Sequence, residues 1–331
     1  MNQVEPVFII GCIRSGTTIL HQVLMDYCPR AIDIDDVDFE CRTFWQERGF
    51  RIGSPKTGTR CCKADAGDLT DSARDEILNY FAQRTAGGQH IVNKNPHLCN
   101  KIGLIHALFP RARIIHIVRE NLSVIASTKL NYLSQDERQT NPWGARFVQY
   151  WPDEPDFPCW WAVPVDDDAV FREPLRRRLR RVVRGQPQLP EPDHESYTAF
   201  RRAHSDASRY FPGGGFRRIP ESWVRINAYV VKQIDALDIG SLYMPINYAD
   251  LVARPMDVIR NIGSFCGFTQ TDPSRVPATL DESRRDKWRQ DLTDDEQTSV
   301  DQVMEQFPDE MRLLTERLPG PLLAAREPVP T

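Results

Sequence analysis

The chain of 331 residues contains no hydrophobic run long enough to cross a membrane. Its uncharged apolar stretches are far shorter than the ~20 residues that a membrane-spanning helix needs. The opening stretch MNQVEPVFII carries no basic leader, so we expect no secretory signal peptide and a cytoplasmic location. With 40% hydrophobic and 27% charged residues, the composition is that of an ordinary globular protein.

Positive charge is not in excess either, because 42 basic residues face 46 acidic ones and the net charge is −4. This balance argues against non-specific nucleic-acid binding, so any basic site must be local. The eight cysteines show no C-x-x-C spacing, and the histidines show no metal-ligand spacing. We therefore expect reduced, mostly buried thiols and no bound metal.

Strand-like and helix-like segments alternate along the chain, which is typical of a three-layer α/β/α fold with a central parallel sheet. Open sheets of this kind bind ligands at the carboxyl ends of their strands. The predicted strands are short apolar runs at 7–10, 90–94, 112–118 and 241–248. The predicted helices have apolar residues at helical spacing at 17–27, 71–84, 100–109, 121–133, 221–237 and 256–268.

The stretch 141–222 interrupts this alternation, and it holds 11 of the 25 prolines together with four tryptophans. A structureless loop of that length would be unusual in a compact domain. We therefore predict a largely helical insertion that packs over one end of the sheet. Seven arginines between 172 and 184 alternate with apolar residues at helical spacing, a pattern compatible with contact to an anionic membrane surface.

The stretch VFIIGCIRSGTTIL at 7–20 is close to a phosphate-binding loop. Gly11 and Gly16 hold the two glycine positions of G-x-x-x-x-G-K-[ST], but Thr17 stands where the lysine should be. A strand, a glycine turn and a helix N-terminus together point backbone N–H groups at one anion. The residues that we expect to hold this anion are Arg14, Ser15, Gly16, Thr17 and Thr18.

Arginine in place of lysine changes which donor fits the loop. In ATP- and GTP-cleaving enzymes the loop lysine bridges the β- and γ-phosphates, so its absence weakens the case for a triphosphate. The guanidinium of Arg14 is a planar fork of donors that suits phosphate or sulfate. Arg119 at a strand end and Ser127, eight residues later, can flank a second anion. Two anion sites at one sheet edge predict a nucleotide that is phosphorylated at both ends.

The segments PVFIIGCIRSGTTIL and FPRARIIHIVRENLSVIAS resemble the sulfotransferases that use 3′-phosphoadenosine 5′-phosphosulfate (PAPS). The resemblance is strongest to the branch that contains tyrosylprotein sulfotransferases and many bacterial enzymes. It covers roughly 5–133 and 221–300 and implies a single sulfotransferase domain over 1–331. The insertion at 141–222 lies outside the resemblance, and we expect it to contribute to acceptor binding. It also implies release of adenosine 3′,5′-bisphosphate without help from a metal.

The resemblance assigns nucleotide contacts to residues of this sequence. It implies that the glycine turn from Arg14 to Thr18 grips the 5′-phosphosulfate, while Arg119 and Ser127 grip the 3′-phosphate. INYADLVARP is similar to a family segment that places Tyr248 near the adenine. DESRRDKWRQDLT is similar to a late segment that closes over the nucleotide, which implies Lys287 as a further contact.

Catalysis in this family is an in-line displacement, in which positioning and electrostatic stabilisation supply most of the rate. Arg14 is the candidate cation for the sulfuryl oxygens, and Lys94 is the second, because related enzymes have a lysine there. The resemblance also implies a carboxylate base ahead of an aromatic pair. Glu40, before Phe44–Trp45, fits best, but Asp35 fits a gap-free alignment and Asp38 stays open. His97 is a further candidate base.

The acceptor is predicted to be a small-molecule or lipid-like hydroxyl compound rather than a peptide or a nucleic acid, and the oligomeric state stays open. Two rival interpretations remain. A P-loop kinase would share the strand, loop and helix, but it needs a loop lysine and a Mg²⁺ ligand that the sequence does not place. A nucleotide-bound scaffold would use the Arg/Trp-rich insertion as a partner surface without catalysing a reaction.

Overall fold

The computed structural model of this chain places a parallel sheet between two layers of helices. It describes residues 5–34, 64–85, 89–133, 218–269, 271–278 and 287–323, with short pieces at 40–41, 44–45, 48, 50, 147–149, 162–164 and 280–281. The predicted α/β/α class is therefore confirmed.

Five strands form the central sheet, and every neighbouring pair is parallel. They are β1 (Val7–Ile10), β2 (Ala31–Asp33), β3 (His90–Lys94), β4 (Arg113–Val118) and β7 (Tyr243–Asn247). The spatial order is β2-β3-β1-β4-β7, so β1 lies in the middle. A separate antiparallel pair, β5 (Phe147–Gln149) and β6 (Ala162–Pro164), lies within 141–222. The predicted short helices of that insertion lie outside the described residues.

Alternate residues of each strand belong to two different hydrophobic cores, because successive side chains point to opposite faces of the sheet. Val7 and Ile9 pack on the first helical layer, whereas Phe8 and Ile10 pack on the second. The first layer contains α1 (Thr17–Tyr27), α6 (Tyr248–Ala253) and α7 (Pro255–Cys266). The second contains α2 (Asp71–Arg84), α3 (Ile102–Leu108), α4 (Asn121–Leu133), α5 (Arg218–Ala236), α8 (Trp288–Asp291), α9 (Asp294–Met304) and α10 (Pro308–Arg317).

Several predicted elements have the bounds that the sequence indicated, including β1, β3, α1, α2 and α4. Thr70 caps α2, because its hydroxyl oxygen accepts a hydrogen bond from the Ala73 amide at 3.2 Å. Among the helices of the described part, none is long and apolar enough to span a membrane.

Other element bounds differ from the prediction, for local reasons. The helix predicted at 100–109 is shorter, because α3 begins at Ile102 and ends at Leu108, and a 3₁₀ turn, Pro96–Asn100, precedes it. The Asn95 side chain caps that turn by accepting from the His97 amide at 2.9 Å. The strand predicted to end at residue 248 ends at Asn247, whose side-chain oxygen caps α6 by accepting from the Ala249 amide at 2.8 Å. Tyr248 is consequently the first residue of a helix rather than the last of a strand.

The chain connections place a crevice above the centre of the sheet. From β1 the chain passes through α1 to β2 on one side, and from β4 it continues to β7 on the other side. The carboxyl ends of β1 and β4 therefore form a topological switch point, where α/β sheets bind their ligands. The glycine turn and the Arg119 strand end both lie at this point.

Candidate functional site

The glycine turn after β1 requires glycine at both of its glycine positions. A Cβ on Gly11 would lie 2.5 Å from the Ile117 carbonyl oxygen of β4, so the two backbones could not approach as they do. Gly16 has a φ of 99°, and a Cβ there would lie 2.4 Å from the Tyr248 ring. Arg14 also has a positive φ, 67°, which is uncommon for a residue with a side chain.

Hydrogen bonds within the turn hold its shape. The Ser15 hydroxyl donates to the Cys12 carbonyl at 2.6 Å, and the Ser15 amide donates to the same oxygen at 3.1 Å. Ser15 and Thr17 are buried, while Thr18 is half-buried at the start of α1. Ser15 therefore shapes the turn, and its predicted contact with a ligand anion stays a prediction.

The side chain of Arg14 reaches from this turn to the helix that follows β4. Its Nε donates a hydrogen bond to the Ser127 hydroxyl oxygen at 3.0 Å. Ser127 lies in α4, two turns after the strand end that carries Arg119. The two groups that the sequence assigned to opposite ends of a nucleotide are therefore in direct contact.

Arg119 lies on the same side of the sheet as the glycine turn. Its guanidinium carbon is 4.5 Å from the centre of the Tyr248 ring, in the geometry of a cation–π contact. The same ring also lies against Gly16, because a Cβ added there would lie 2.4 Å from a ring carbon. Gly16, Tyr248 and Arg119 thus form one continuous surface across the carboxyl ends of β1, β4 and β7.

A pocket opens beside this surface. Arg119 and Tyr248 line it together with Glu120, Asp281 and Pro321. The C-terminal segment closes one wall, because the Leu322 carbonyl accepts from the Asn121 amide at 3.0 Å. These C-terminal residues carry no motif that would have predicted their position beside the pocket.

The second part of the site lies at the end of β3, where Lys94 and Glu40 form an ion pair. The Lys94 ammonium nitrogen is 2.8 Å from the Glu40 Oε1, and the two side chains are 0% and 15% exposed. The Asn95 side-chain amide donates to the Glu40 carbonyl at 2.6 Å and fixes its backbone. Lys94 is therefore a buried and paired residue, although it stands at the end of a strand.

The aromatic pair after Glu40 is packed rather than exposed. Phe44 and Trp45 are 4% and 0% exposed, and the Trp45 indole N–H donates to the Asn93 side-chain oxygen at 3.2 Å. This contact ties the segment that carries Glu40 to β3.

Four further residues were predicted as nucleotide contacts or as alternative bases. Asp35 and Asp38 lie outside the described residues. Lys287 is exposed at the N-terminal end of α8, and its contact with a nucleotide stays a prediction. His97 is 3% exposed within the 3₁₀ turn after β3.

A buried polar network supports the strand that carries Arg119. His116 Nδ1 is 2.8 Å from the Tyr243 hydroxyl, and His116 Nε2 is 3.0 Å from the Asn227 side-chain oxygen. Burial lowers the pKa of His116 to about 4, so the ring is neutral near pH 7. The network reaches Arg119 through α5, where the Trp223 indole N–H donates to the Arg119 carbonyl at 3.1 Å.

Two cysteines near the glycine turn are not reactive thiols. Burial raises the pKa of Cys12 far above its usual range and raises the pKa of Cys99 to about 12. Both therefore stay protonated at neutral pH and act as small apolar residues. In the described ranges, the structure has no group of three or more His, Cys, Asp or Glu side chains that could hold a metal ion.

Comparison with known sequences finds a family match over the first half of the chain. Residues 6–155 match the model of the sulfotransferase family. The resemblance seen in the sequence is thereby confirmed at the level of the family, and sulfuryl transfer is the reaction class that it supports. An uncharacterized protein of Aquifex aeolicus (strain VF5) is 26% identical over 159 residues, which are 44% of this chain and 19% of that protein. The match thus spans about a fifth of that relative.

Solved structures similar to this chain are also sulfotransferases. The sulfotransferase from Alicyclobacillus acidocaldarius has a TM-score of 0.46 at 14% identity, with 94% of each chain covered. The sulfotransferase domain from the curacin biosynthetic pathway has a TM-score of 0.45 at 14% identity, covering 96% of this chain and 100% of that one. A mouse sulfotransferase complexed with PAP has a TM-score of 0.38 at 12% identity, over 95% and 89%. These similarities are distant.

Proposed function

We propose that this protein transfers a sulfuryl group from PAPS to a hydroxyl group of a small-molecule or lipid-like acceptor. The observation that carries the proposal is the continuous surface of Gly16, Tyr248 and Arg119. It brings the glycine turn and the Arg119 strand end to one edge of the sheet, as a nucleotide with phosphates at both ends requires. The match to the sulfotransferase family over 6–155 supports the same reaction class.

The nucleotide is held in this proposal from three directions. Its 5′-phosphosulfate faces the glycine turn, where Arg14 and the N-terminus of α1 favour an anion. Its 3′-phosphate faces Arg119 and Ser127. Its adenine lies near Tyr248, which lines the pocket beside Arg119, and Lys287 is a further contact.

The chemistry is then a single displacement at sulfur. The acceptor oxygen forms a new S–O bond while the bond between sulfur and the bridging phosphate oxygen breaks, and adenosine 3′,5′-bisphosphate leaves with the electron pair. Glu40 takes the acceptor proton as general base. Lys94 and Arg14 stabilise the negative charge that develops on the sulfuryl and bridging oxygens. The contact at 2.8 Å between Lys94 and Glu40 supports these two roles, because it brings the proposed cation and the proposed base together.

The acceptor site is proposed to involve the insertion at 141–222 and the loop 41–62. Most of both segments lies outside the described residues, as do the four tryptophans and the arginine-rich stretch of the insertion. Peripheral membrane contact, the cytoplasmic location and the single domain over 1–331 accordingly stay predictions.

A thermal-shift comparison with three ligands tests the nucleotide part of the proposal. Adenosine 3′,5′-bisphosphate should raise the melting temperature in the presence of EDTA, whereas ATP with Mg²⁺ should not. Arg119→Ala should remove most of this shift. The matched control is Arg312→Ala, because Arg312 is 71% exposed and pairs with Asp309 on α10, so its loss should leave the shift intact.

Three outcomes of that comparison distinguish the rival functions. A response to ATP with Mg²⁺ alone would indicate a kinase and contradict the proposal. No response to any nucleotide would contradict it as well. A response to the bisphosphate alone leaves an enzyme or a scaffold, and incubation of cell extracts with sulfur-labelled PAPS separates these, because only the enzyme transfers label to an acceptor.

A further inference from the structure

The segment 319–322 follows α10 and lies beside the nucleotide end of the site, and we call it the strap. It contributes Pro321 to the wall of the pocket that Arg119 and Tyr248 also line. The side chain of Leu322 is only 5% exposed and belongs to the hydrophobic core of the second helical layer. The strap is therefore packed on the domain at the edge of the sheet where the ligand is proposed to bind.

One contact of the strap is with the end of β7. The Asn247 side-chain amide donates to the Pro319 carbonyl at 2.9 Å. The side-chain oxygen of the same residue accepts from the Ala249 amide and caps α6, whose first residue is Tyr248. Asn247 therefore joins the strap to the helical turn that carries Tyr248.

A second contact of the strap is with the start of α4. The first N–H groups of a helix have no partner within the helix. The amide of Asn121, the first residue of α4, donates to the Leu322 carbonyl at 3.0 Å. Because Arg119 comes only two residues before Asn121, the strap holds the backbone that leads from this arginine into the helix.

Gly320 allows the strap to turn between these two contacts. Its φ is 75°, in the left-handed region that favours glycine. A Cβ on Gly320 would lie 2.4 Å from Nδ2, 2.7 Å from Cγ and 3.2 Å from Cβ of Asn247. Rotation of the amide alone could not make room, because the Cβ and Cγ atoms of Asn247 are also too close. A side chain at this position must therefore displace either the strap or Asn247.

We propose that the strap is a positioning element of the nucleotide site, which holds Arg119 and Tyr248 in place relative to each other. The pairing of β4 with β7 ends at Val118 and Asn247, and the strap continues the connection beyond that point. The inference rests on the proposed function, in which Arg119 faces the 3′-phosphate and Tyr248 lies near the adenine. It adds to the site a segment that carries no nucleotide-binding motif.

Gly320→Ala tests this role, with Gly267→Ala as its matched control. Gly267 follows α7 with a φ of 67°, and a Cβ there would meet nothing within 4 Å. Both changes place a side chain in the left-handed region and should lower the melting temperature, but only Gly320→Ala displaces the strap. In isothermal titration, adenosine 3′,5′-bisphosphate should bind about tenfold more weakly to Gly320→Ala, because small displacements of binding groups cost affinity. Gly267→Ala should bind it as the wild type does.

Asn247→Ser tests the contact between the strap and the end of β7. Serine retains an oxygen that can cap α6, but it removes the donor to the Pro319 carbonyl. Bisphosphate binding should weaken about fivefold, since one hydrogen bond that holds the strap is lost. In the double variant, Gly320→Ala should add little further effect, because the smaller serine leaves room for the added Cβ.

Other results would overturn the inference. If Gly320→Ala binds the bisphosphate as tightly as the wild type, the strap does not position the site, and the proposed function survives. If Gly267→Ala weakens binding as much as Gly320→Ala, the loss reflects general destabilisation. If the effects of Gly320→Ala and Asn247→Ser are additive, the strap does not act through Asn247. If the wild type does not bind the bisphosphate, the proposed function fails and this inference fails with it.

Discussion

The two ends of the site hold their charges in different ways. At the end of β3, the Lys94 ammonium is fully buried and the Glu40 carboxylate is only 15% exposed, so each is the counter-charge of the other. At the nucleotide end, Arg14 is exposed and Arg119 is half-buried, and their described contacts are with a hydroxyl group and an aromatic ring.

Because of this difference, substitutions at the two ends should have different effects on stability and on ligand binding. A buried ion pair that loses one partner leaves an uncompensated charge, which is strongly destabilising. An exposed or half-buried arginine contributes less to stability than a buried charge and keeps its guanidinium accessible to an anion. Substitutions at Lys94 and Glu40 should therefore affect both stability and activity, whereas those at Arg14 and Arg119 should affect ligand binding alone.

The largest effect is expected for Lys94→Met. Loss of the ammonium removes the proposed catalytic cation and breaks its ion pair with Glu40, so we expect sulfuryl transfer to fall by about 10³-fold. The free energy of unfolding should fall by about 3–5 kcal/mol, as for other broken buried pairs. Steady-state kinetics at saturating PAPS and denaturant unfolding measure the two effects.

The double variant Lys94→Met/Glu40→Leu tests whether these two losses are separable. It replaces both charges by apolar groups, so stability should recover while activity stays lost. Full stability of the single variant Lys94→Met would contradict the contrast between the two ends.

The next effect concerns the buried network beneath Arg119 and depends on pH. Because the pKa of His116 is lowered to about 4 by burial, the unfolded chain binds a proton between about pH 6.5 and pH 4 that the folded chain excludes. The neutral His116 ring therefore stabilises the folded chain above the pKa that histidine has in the unfolded chain. The free energy of unfolding falls as pH decreases, by about 3 kcal/mol over this window. The free energies of unfolding of the wild type and of His116→Asn should be measured from pH 7 to pH 4.5. The wild type should show the steeper dependence on pH, and equal slopes for the two proteins would refute the lowered pKa of His116.

A smaller effect is expected for Gly16→Ala, where the glycine turn contacts the Tyr248 ring. Gly16→Ala places a Cβ 2.4 Å from the Tyr248 ring and a side chain at a φ of 99°. We expect a loss of about 1–3 kcal/mol in stability and weaker bisphosphate binding, because the ring must move. Gly240→Ala is the control, since its Cβ would meet nothing within 4 Å, and equal melting temperatures for the two variants would be evidence against the close packing.

The smallest effect is expected for Trp223→Phe. The change removes the hydrogen bond to the Arg119 carbonyl and should cost about 1 kcal/mol, with a few-fold weaker bisphosphate binding. Trp288→Phe is a matched control, because the Trp288 indole N–H is buried without a hydrogen-bond partner in the described ranges. Titration calorimetry should find weaker binding only for Trp223→Phe.

The sequence predicted the elements that carry their own periodicity. The strands at 7–10 and 90–94 and the helix at 17–27 have the predicted bounds, because continuous apolar runs and helical spacing are local signals. β2 was not predicted, since three residues are too few to show a period. The 3₁₀ turn at Pro96–Asn100 depends on a capping contact that composition alone does not specify.

In the site, too, features with a local sequence signal were predicted, whereas contacts between distant parts of the chain were not. Arg14, Lys94 and Glu40 were identified by a motif or by family resemblance, and the structure brings Lys94 and Glu40 together as an ion pair. The contact from Arg14 to Ser127 and the support of Arg119 by Trp223 could not be predicted, because each joins residues more than 100 positions apart. Such contacts depend on how the helical layers pack on the sheet.

A crystal structure of the complex with adenosine 3′,5′-bisphosphate would examine the central claim most directly. We predict that the 3′-phosphate lies against the guanidinium of Arg119 and the hydroxyl of Ser127, with the 5′-phosphate at the amides that open α1. A nucleotide bound in the reverse direction, or away from the crevice between β1 and β4, would contradict the account.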